Sequence, residues 1–520
     1  MVGAAVALGM VEERVPTVIW PIALGASLAG PVLLMCAFPT LDAGVVSFIA
    51  LVPLFLLWSK ASWKQALWWG WFAGAMTSLV LFNWMIHSIG DFVGSWSILA
   101  LVLLCAYQGL FIAIAAVLTS LIGRGEFRSI SVFAAPAAWL LAETLRTRGQ
   151  SGLPFGELGL VAAHLPWLLP FAAYGGVYLL SAIIALVNGA IAAIALGTAA
   201  ARRTGGIVLV ALVLVVLIGD GMRHRVALAP PVLRVAVAQG NVSQREKWTP
   251  AIFEQTIETY SALTRQAAAR GARVVVWPET AITSYPLQEP WLLTRLESVA
   301  AQSHVWIMAG TIDRPSADGY YNALIALTPE GTLGGVYHKR LLVPFAEFLP
   351  FDRVLRPLPL FDSASRFLSG PGPHLLAAAG WQWGTLICYE SAFAPYARAT
   401  ANAGADALIV ATDDAWFGGT NGPYQHADVA VVAAVSTGRW IVRGADTGVS
   451  DIVDPSGRVV ASLGLGQRGI VVGDVGRGIV TPYDRYGVVW LLVLALGVVI
   501  AGLWRTRERT PGWRSRRGDW

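Results

Sequence analysis

Cysteines and charged residues are both scarce in this sequence. Its 520 residues include only three cysteines, which excludes a framework of several disulfides. Asp, Glu, Lys and Arg together make up 13% of the chain, against about 25% in an ordinary soluble domain. Hydrophobic residues make up 56%. The chain as a whole is therefore not expected to be a soluble globular protein.

The few charges are unevenly distributed along the chain. Residues 1–231 contain 19 charged residues, 232–486 contain 42, 487–504 contain none and 505–520 contain 8. We therefore expect a membrane domain (1–231), a soluble domain (232–486), a C-terminal transmembrane helix (487–504) and a basic cytoplasmic tail (505–520). The net charge is +5 and six arginines lie in that tail. Because the soluble block has no basic patch, we expect no nucleic-acid partner.

Apolar segments of the length of a bilayer span lie on both sides of the soluble block. A spanning helix needs about 20 mostly apolar residues. By this criterion we predict about seven spans before the block and one after it. The predicted spans are 18–37, 43–58, 66–87, 97–123, 129–145, 171–196, 206–219 and 487–504.

Lys and Arg in the short connections predict the orientation, because basic connections remain in the cytoplasm. With the N-terminus inside, the cytoplasmic connections contain Lys60, Lys64, Arg124, Arg128, Arg202 and Arg203. Two other connections deviate, since Arg146 and Arg148 follow the fifth span and Arg223 and Arg225 follow the seventh. The majority predicts that the soluble domain lies outside the cytoplasm, which for a multi-pass protein of a bacterial inner membrane is the periplasm.

Short β-branched runs alternate with helical stretches from residue 233 onward. We predict strands at 233–238, 273–277, 305–309, 322–327, 385–387, 407–411, 440–443, 459–462 and 469–475. We predict helices at 250–269, 289–303, 393–403 and 425–437. This alternation predicts a layered α/β domain with mixed sheets.

Three reactive side chains follow apolar runs in this block: Glu279 follows 274–278, Lys339 follows 334–338 and Cys388 follows 384–387. Sites in open α/β sheets form beyond the carboxyl ends of strands, so three such ends can converge on one pocket. A thiol becomes a strong nucleophile as the thiolate, which a nearby ammonium stabilises after a carboxylate takes the proton. The three residue types together therefore indicate a nucleophilic site.

The residues around these side chains resemble the three catalytic motifs of the nitrilase, or carbon–nitrogen hydrolase, superfamily. In order they are Trp277-Pro278-Glu279, His338-Lys339-Arg340 with Pro344-Phe345-Ala346-Glu347, and Ile387-Cys388-Tyr389-Glu390. The resemblance covers about 233–476 and implies an α-β-β-α sandwich with a Glu–Lys–Cys triad. The expected fold is thus a multi-span α-helical membrane domain plus an α/β nitrilase-like sandwich domain.

Within the superfamily, the whole chain resembles the apolipoprotein N-acyltransferase family. The resemblance rests on the spans before the soluble domain, the single span after it, the Cys-Tyr-Glu form at 388–390, and Gly152-Leu153-Pro154. That family usually reads Gly-Phe-Pro-Trp there, and Phe155 replaces the Trp. The resemblance implies an acyltransferase that moves a fatty acyl chain from a membrane phospholipid, through a Cys thioester, to the N-terminal amine of diacylglyceryl-cysteine on an apolipoprotein. It implies membrane lipids as surroundings, and neither a cofactor nor a metal.

The resemblance also implies roles for individual residues. Glu279 would be the general base, Cys388 the nucleophile, and Lys339 the cation that orients the pair and stabilises the developing oxyanion. Residues that match supporting or substrate-admitting positions are Trp248, Glu347, Tyr389 and Glu390. A surface aromatic at the start of a helix explains Trp248 equally well.

Two other functions fit parts of the pattern. A membrane-tethered amidase or nitrilase would use the same triad on a small C–N substrate, and its activity would not need the membrane half. A transporter with an accessory domain would need charged residues deep in its spans. The candidates lie at span boundaries instead, as Asn83, His87, Asp91 and Glu143.

The segment 341–361, between the Lys and Cys motifs, is too apolar for an ordinary surface loop. Its prolines at 344, 350, 357 and 359 exclude a continuous helix or a central strand. It either packs under the helices of its own domain or lies at the bilayer surface as a mobile arm. The second hypothesis predicts that replacing Phe348, Leu349 and Phe351 together with serine slows acyl transfer from bilayer phospholipid and leaves the domain folded.

Overall fold

The computed structural model of the chain describes residues 18–39, 41–149, 151–223, 230, 232–244, 246–357 and 365–507. In these ranges the chain forms a helical region, then a domain with two β-sheets, and then a terminal helix that packs back on the helical region. The expected boundary at residue 231, most of the basic tail and the end of the apolar segment at 358–364 lie outside the described residues.

The N-terminal region contains helices and their connections, and no β-strand, within the described ranges. Its α-helices are α1 Trp20–Ala37, α2 Ser47–Ala50, α3 Val52–Lys60, α4 Trp63–Leu81, α5 Met85–Val93, α6 Ser97–Gly123, α7 Ser131–Arg146, α8 Ala172–Leu196 and α9 Ala199–Arg223. The connection between α7 and α8 contains two 3-10 helices, Leu158–His164 and Leu169–Phe171.

Five described helical segments are long and apolar enough to cross a membrane. They are Trp20–Ala37, Gly94–Gly123, Leu169–Leu196, Ala199–Gly219 and Val489–Thr506. The segment Gly44–Lys60 is apolar but shorter. The other predicted spans lie on α4, α5 and α7, and the total of eight stays a prediction.

The predicted continuous helix 66–87 is wrong in its last part. Helix α4 ends at Leu81, and α5 begins at Met85. At the break, the Asn83 side chain donates to the carbonyl of Val80 at 2.9 Å. Asn side chains compete with the backbone for such bonds and so favour helix ends, which explains the interruption of an apolar run.

The basic connections lie together at one end of the helical region. The amide of Gly125 donates to the carbonyl of Ser59 at 3.0 Å, and the amide of Thr198 donates to Phe127 at 3.1 Å. These bonds join the connections that contain Lys60, Arg124, Arg128 and Arg202. The positive charge predicted to be cytoplasmic is thus gathered on one face.

The soluble block folds into two six-stranded sheets. The strands are β1 Leu233–Gln239, β2 Val274–Val276, β3 Trp306–Ser316, β4 Gly319–Leu327, β5 Leu333–His338, β6 Leu375–Ala378, β7 Trp381–Ile387, β8 Ala407–Thr412, β9 Ile441–Ala445, β10 Ser450–Val453, β11 Val459–Leu463 and β12 Gly469–Val475. The strand orders are β12-β1-β2-β3-β4-β5 and β11-β10-β9-β8-β7-β6. Strands β1–β3 and β7–β9 are parallel, and their other neighbours are antiparallel.

Helices cover the outer face of each sheet. The helices of this domain are α10 Pro250–Ala269, α11 Pro290–Ser303, α12 Asp352–Leu355, α13 Tyr389–Ala392, α14 Ala394–Asn402, α15 Gly422–Thr437 and α16 Pro482–Tyr486, and α17 Val489–Arg507 follows them. Helices α10 and α11 pack on the first sheet, α14 and α15 pack on the second, and apolar side chains of both sheets fill the space between. The predicted α-β-β-α sandwich beside a helical membrane region is confirmed.

Helix α15 also packs on the membrane region, where it contacts α8 and the 3-10 helix Leu158–His164. The second helical layer therefore lies between a β-sheet and the membrane helices. The first layer, α10 and α11, has no such cover in the described chain.

Candidate active site

The three predicted reactive side chains follow the ends of β2, β5 and β7. Two of these strands end next to parallel neighbours, because Val276 pairs with Met308 and Ile387 pairs with Ala411. The Glu279 connection passes so close to β3 that a Cβ on Gly310 would lie 2.2 Å from the carbonyl oxygen of Pro278. Only glycine fits there, so the position of Glu279 depends on that close backbone approach.

Lys339 connects two buried carboxylates. Its Nζ lies 3.2 Å from Glu279 Oε1 and 2.8 Å from Glu347 Oε1. Burial by itself disfavours the ammonium, but the charges of Glu279, Glu347 and the Cys388 thiolate outweigh it, so the pKa of Lys339 is raised well above its usual value. Lys339 is therefore a fixed positive charge and not a proton donor near neutral pH.

Asn322 is a site residue that the motifs did not reveal. Its Nδ2 lies 2.6 Å from Glu279 Oε1 and 3.0 Å from Glu347 Oε1, and its carbonyl accepts the amide of Lys339 at 2.8 Å. The available signal was a buried Asn in an otherwise apolar strand, β4, where this residue type is uncommon. Asn322 thus bridges the carboxylates of Glu279 and Glu347 through its side chain and holds the backbone of Lys339 through its own.

The second oxygen of Glu279 is held by a backbone group. Oε2 accepts the amide of Asp413 at 2.9 Å. Asp413 directly follows β8, which lies parallel to β7, the strand before Cys388. The rule that sites form beyond the carboxyl ends of strands therefore also predicts Asp413 near the site. With both oxygens bonded, the carboxylate of Glu279 has a fixed orientation in the site.

Cys388 occupies a strained turn between β7 and α13. Its φ and ψ are 49° and −112°, a left-handed backbone conformation that costs free energy in residues other than glycine. Its amide donates to the carbonyl of Ala411 at 2.8 Å. The turn therefore projects one residue out of the sheet edge, as a nucleophile requires.

The Cys388 thiol is protonated at rest. Burial and the negative charge of Glu279 raise its pKa well above the usual value, and the opposing charge of Lys339 does not compensate. Because the thiolate is the nucleophile, an attack by Cys388 needs a base that takes the proton as the new bond forms. The electrostatics link Glu279, Lys339 and Cys388 in one site.

Glu390 fastens the Cys388 turn to the segment after Lys339. Its fully buried carboxylate accepts the amides of Ile387 at 2.8 Å and Arg340 at 2.6 Å, and the hydroxyl of Tyr337 at 2.9 Å. Burial raises the pKa of Glu390 although Arg340 and these amides oppose it. Glu390 contacts the frame of the site and not the reactive atoms.

Tyr389 joins the site to the membrane region. Its hydroxyl donates to the carbonyl of Gly152 in the connection between α7 and α8. Phe155, which replaces the Trp usual in the resembling family, is buried nearby against the rings of Trp84 and His426. The Gly-Leu-Pro-Phe segment is thus part of the contact between the two regions.

Trp248 lies at the edge of this group of contacts, because its Nε1 donates to the Gln244 side-chain oxygen at 3.2 Å and the Gln244 amide nitrogen donates to Asp413 Oδ2 at 2.6 Å. The Trp248 side chain is 47% exposed, and it follows Lys247, whose buried Nζ lies 2.6 Å from Asp413 Oδ2. Trp248 is therefore an exposed aromatic next to a residue that is anchored to the site. Its contact with a substrate stays a prediction.

The apolar segment after Lys339 is partly packed and partly exposed. Leu341, Leu342 and Leu349 are buried, whereas Phe351 is 81% exposed and Val354 is 70% exposed. Of the three side chains that the mobile-arm hypothesis replaces with serine, Leu349 is buried, Phe348 is half-buried and Phe351 is exposed. The mobile-arm hypothesis therefore now applies only to Phe351 and the neighbouring helix α12, whose side chains include the exposed Val354.

The soluble domain is of the carbon–nitrogen hydrolase class, whose family profile matches residues 234–485. The profile of the apolipoprotein N-acyltransferase N-terminal domain matches residues 30–190. A protein from Azotobacter vinelandii named apolipoprotein N-acyltransferase is 34% identical over 94% of this chain and 96% of its own length. One of the same name from Geobacter metallireducens is 32% identical over 93% of this chain and 96% of its own. The chain belongs to the apolipoprotein N-acyltransferase family, and it is a membrane protein.

A solved structure is also similar to part of this chain. It is an amidase from Nesterenkonia sp., which is 17% identical and covers 51% of this chain and 97% of its own, with a TM-score of 0.38.

Proposed function

We propose that this chain transfers a fatty acyl group from a phospholipid to the N-terminal amine of a diacylglyceryl-modified apolipoprotein, with Cys388 as the carrier. The observation that supports this most strongly is the contact of the nucleophile turn with the membrane region. Tyr389, the neighbour of Cys388, bonds to the connection between α7 and α8. Two substrates that reside in a bilayer require such a position, whereas a small water-soluble amide does not.

In the first half-reaction, the Cys388 sulfur attacks the ester carbonyl of the phospholipid while Glu279 takes the thiol proton. The oxyanion that develops lies beside the charge of Lys339, which burial makes more effective than in water. The C–O bond then breaks, and Glu279 returns the proton to the leaving alkoxide. The products are a thioester on Cys388 and a lysophospholipid.

In the second half-reaction, the free amine of the diacylglyceryl-cysteine attacks the thioester. Glu279 accepts a proton from the attacking nitrogen, the C–S bond breaks, and the departing sulfur regains a proton. The product is an amide, so the atoms and protons balance over both steps. The site is largely buried, with Lys339 at 1% and Glu279 at 6% exposure, which limits hydrolysis of the thioester by water.

The charge distribution supports a periplasmic catalytic domain. The basic connections lie on one face of the membrane region. The catalytic domain contacts other connections instead, since Asn421 bonds the carbonyl of Pro39 at 3.0 Å and Gln425 bonds Leu81 at 3.0 Å. With the basic face in the cytoplasm, the site of an inner-membrane protein lies in the periplasm. We further propose the division into domains at 1–231, 232–486 and 487–504, with a basic tail.

The test uses the full-length protein in phospholipid vesicles and mass spectrometry of the peptide that contains Cys388. We expect a fatty-acyl mass on Cys388, which disappears when a diacylglyceryl-cysteine peptide is added and becomes N-acylated. Cys388→Ala should form neither product, and Cys105→Ala, which removes a buried thiol of the membrane region, should form both. N-acylated peptide from Cys388→Ala would refute the mechanism.

A further inference from the structure

A buried chain of hydrogen bonds lies behind Cys388. The hydroxyl of Ser391 lies 2.7 Å from the carbonyl oxygen of Cys388 and 2.8 Å from Nε2 of His426. Nδ1 of His426 lies 2.9 Å from Oδ1 of Asp414. Ser391, His426 and Asp414 are 4%, 1% and 0% exposed. A serine, a histidine and an aspartate are thus connected to the nucleophile through its backbone.

These residues belong to three different elements. Ser391 is on α13, His426 is on α15, and Asp414 is in the 3-10 helix Asp414–Phe417 that follows β8. This series of hydrogen bonds therefore connects the Cys388 turn to α15, the helix that packs on the membrane region. A bond from Ser391 to the carbonyl three residues earlier is a common local motif. The continuation through His426 to Asp414 is not local, since it joins distant parts of the sequence.

Asp414 is the charged end of the chain. Its Oδ2 accepts a bond from Arg443 Nη2 at 2.6 Å. Burial opposes the charge of Asp414, but Arg443 and His426 outweigh burial and hold its pKa below the usual range. The carboxylate is thus ionised and acts only as an acceptor toward the imidazole.

The number of protons in this chain determines which bonds can form together. Ser391 has one hydroxyl proton, and the Cys388 carbonyl can only accept. If that proton goes to the carbonyl, Nε2 of His426 must donate to the Ser391 oxygen. Nδ1 must also donate, because it faces ionised Asp414. All three bonds therefore exist together only when both imidazole nitrogens are protonated.

We propose that Ser391 and His426 are positioning residues for Cys388, and that the imidazolium form of His426 keeps the Ser391 hydroxyl on the Cys388 carbonyl. With a neutral imidazole, the same hydroxyl can turn to Nε2 and release the carbonyl. The Cys388 turn is in a left-handed conformation and needs such support from its surroundings. The kinetic part of this proposal rests on the proposed function, and the structural part does not.

The groups that face His426 and Ser391 are few within the described chain. Asp414 contacts the imidazole directly, and Arg443 faces it through Asp414. The rings of Phe155 and Phe417 lie 5.6 and 5.9 Å from the imidazole ring, and neither ring has a titratable group. Further charged or titratable groups near them are Cys388, which Asp414 influences electrostatically, Glu157 and Tyr483, which line the same small cavity as Ser391, and Asp428, two residues along α15.

The test compares Ser391→Ala with Ser436→Ala in the full-length protein. Ser436 is a matched control because it is buried, lines the same cavity and bonds a carbonyl of its own helix, Val432, but it does not contact the Cys388 turn. We expect amide hydrogen exchange in the peptide that contains Cys388 to become about tenfold faster in Ser391→Ala, the effect of one lost hydrogen bond. Ser436→Ala and Ser391→Thr should exchange like the unmodified protein.

The kinetic measurement is thioester formation on Cys388. We expect kcat to fall about tenfold in Ser391→Ala with little change of KM, because the turn and not the lipid site is affected. If Ser391→Ala exchanges faster but the unmodified protein transfers no acyl group, the proposed function is refuted and the positioning role stands. Equal exchange in Ser391→Ala and Ser436→Ala would overturn the positioning role.

The donor role of His426 has its own measurement. In His426→Gln, whose amide can donate to the Ser391 oxygen, we expect the Cys388 peptide to stay protected from exchange. In His426→Leu, which cannot donate, it should exchange about as fast as in Ser391→Ala. Equal protection in the two His426 variants would overturn the proposal, and Ser391→Ala with Ser436→Ala tests it independently.

Discussion

The two helical layers of the catalytic sandwich are built for different surroundings. In α10, 7 of 20 residues are buried, and they lie on one face against the first sheet. In α15, 14 of 16 residues are buried, because the sheet covers one side and the membrane region covers the other. A helix that is buried all round belongs to an interior and not to a surface. The layer of α14 and α15, called the docked layer below, is therefore part of the core of the whole molecule. The layer of α10 and α11 is called the exposed layer.

Cys388, the proposed nucleophile, lies on the docked side of this comparison. Cys388 leads into α13, whose next helices are α14 and α15, and Tyr389 and His426 connect the turn to the membrane region. Glu279 and its connection belong to the other sheet, which the exposed layer covers. The site is thus assembled between a part attached to the membrane helices and a part that faces away from them.

The largest expected effect comes from a charge placed in the docked layer. Val432 on α15 is 3% exposed, and an aspartate there would bury an unpaired carboxylate at a cost of about 3 kcal/mol or more. We expect Val432→Asp to lose acyl transfer more than about 100-fold and to unfold at a lower temperature. Ala251→Asp, at the exposed start of α10, should leave both measurements unchanged. Similar losses in the two variants would show that the layers do not differ.

A smaller effect should follow from the loss of the hydrogen bond that joins the Cys388 turn to the membrane region. Tyr389→Phe removes the hydroxyl that donates to Gly152 but keeps the ring. A buried hydrogen bond contributes about 1 kcal/mol, so we expect roughly a tenfold lower kcat for thioester formation. Tyr260→Phe, which removes a buried hydroxyl bonded to Asp446 under the exposed layer, is the comparison for general destabilisation. A Tyr389→Phe enzyme with full activity would argue against this contact.

The docked layer should also respond to pH. His164 lies 2.9 Å from Asp428 on α15, and this bond raises the pKa of His164. Burial raises the pKa of Asp428 to about 6, although His164 opposes it. Both groups therefore bind more protons in the folded state, so the stability that they contribute is present in acid and is lost as the pH rises through their folded-state pKa values.

We accordingly expect the melting temperature to fall between about pH 5 and pH 8. The slope should flatten in His164→Gln, measured by thermal unfolding in detergent. His304→Gln changes a histidine that ends α11 in the exposed layer, and it should keep the slope. A melting temperature that rises over this range would contradict the sign of the effect.

The smallest effect concerns the exposed part of the apolar segment. We expect Phe351→Ser with Val354→Ser to slow transfer from bilayer phospholipid a few-fold, because about two exposed apolar side chains lose contact with lipid. Transfer from phospholipid dispersed in detergent should change less. Trp291→Ser removes an aromatic that is 57% exposed on α11 and should change neither rate. Unchanged bilayer kinetics in the double variant would exclude a membrane role for this segment.

Local sequence patterns predicted the fold well where they were strong. Each of the nine predicted strands overlaps an observed one, and helix α10 begins and ends as predicted. Strands β5, β6 and β10 were missed because β5 contains Gly334 and Gly335, β6 is four residues without a β-branched side chain, and β10 contains a charged residue, Asp451. Their partners in the sheets stabilise them, and a single sequence does not show those partners.

The candidate site was predictable in its reactive side chains but not in their supports. Glu279, Lys339 and Cys388 each follow a recognisable apolar run, so their types and their places in the site were predictable, although β5, the strand before Lys339, was not among the predicted strands. Asn322 and the amide of Asp413 hold Glu279, and a backbone amide has no signature in a sequence. The same is true of Gly152, which contacts Tyr389 through its carbonyl.

The sequence by itself determined which segments are apolar enough for a membrane, which region folds as an α/β domain, and which carboxylate, ammonium and thiol together have the chemistry of a nucleophilic site. Those properties depend on composition and on neighbours along the chain. Only the tertiary structure decided that α15 is buried on both sides, that Cys388 adopts a left-handed turn, and that Ser391, His426 and Asp414 meet behind it. These depend on contacts between distant residues, where packing and hydrogen bonding outweigh local preference.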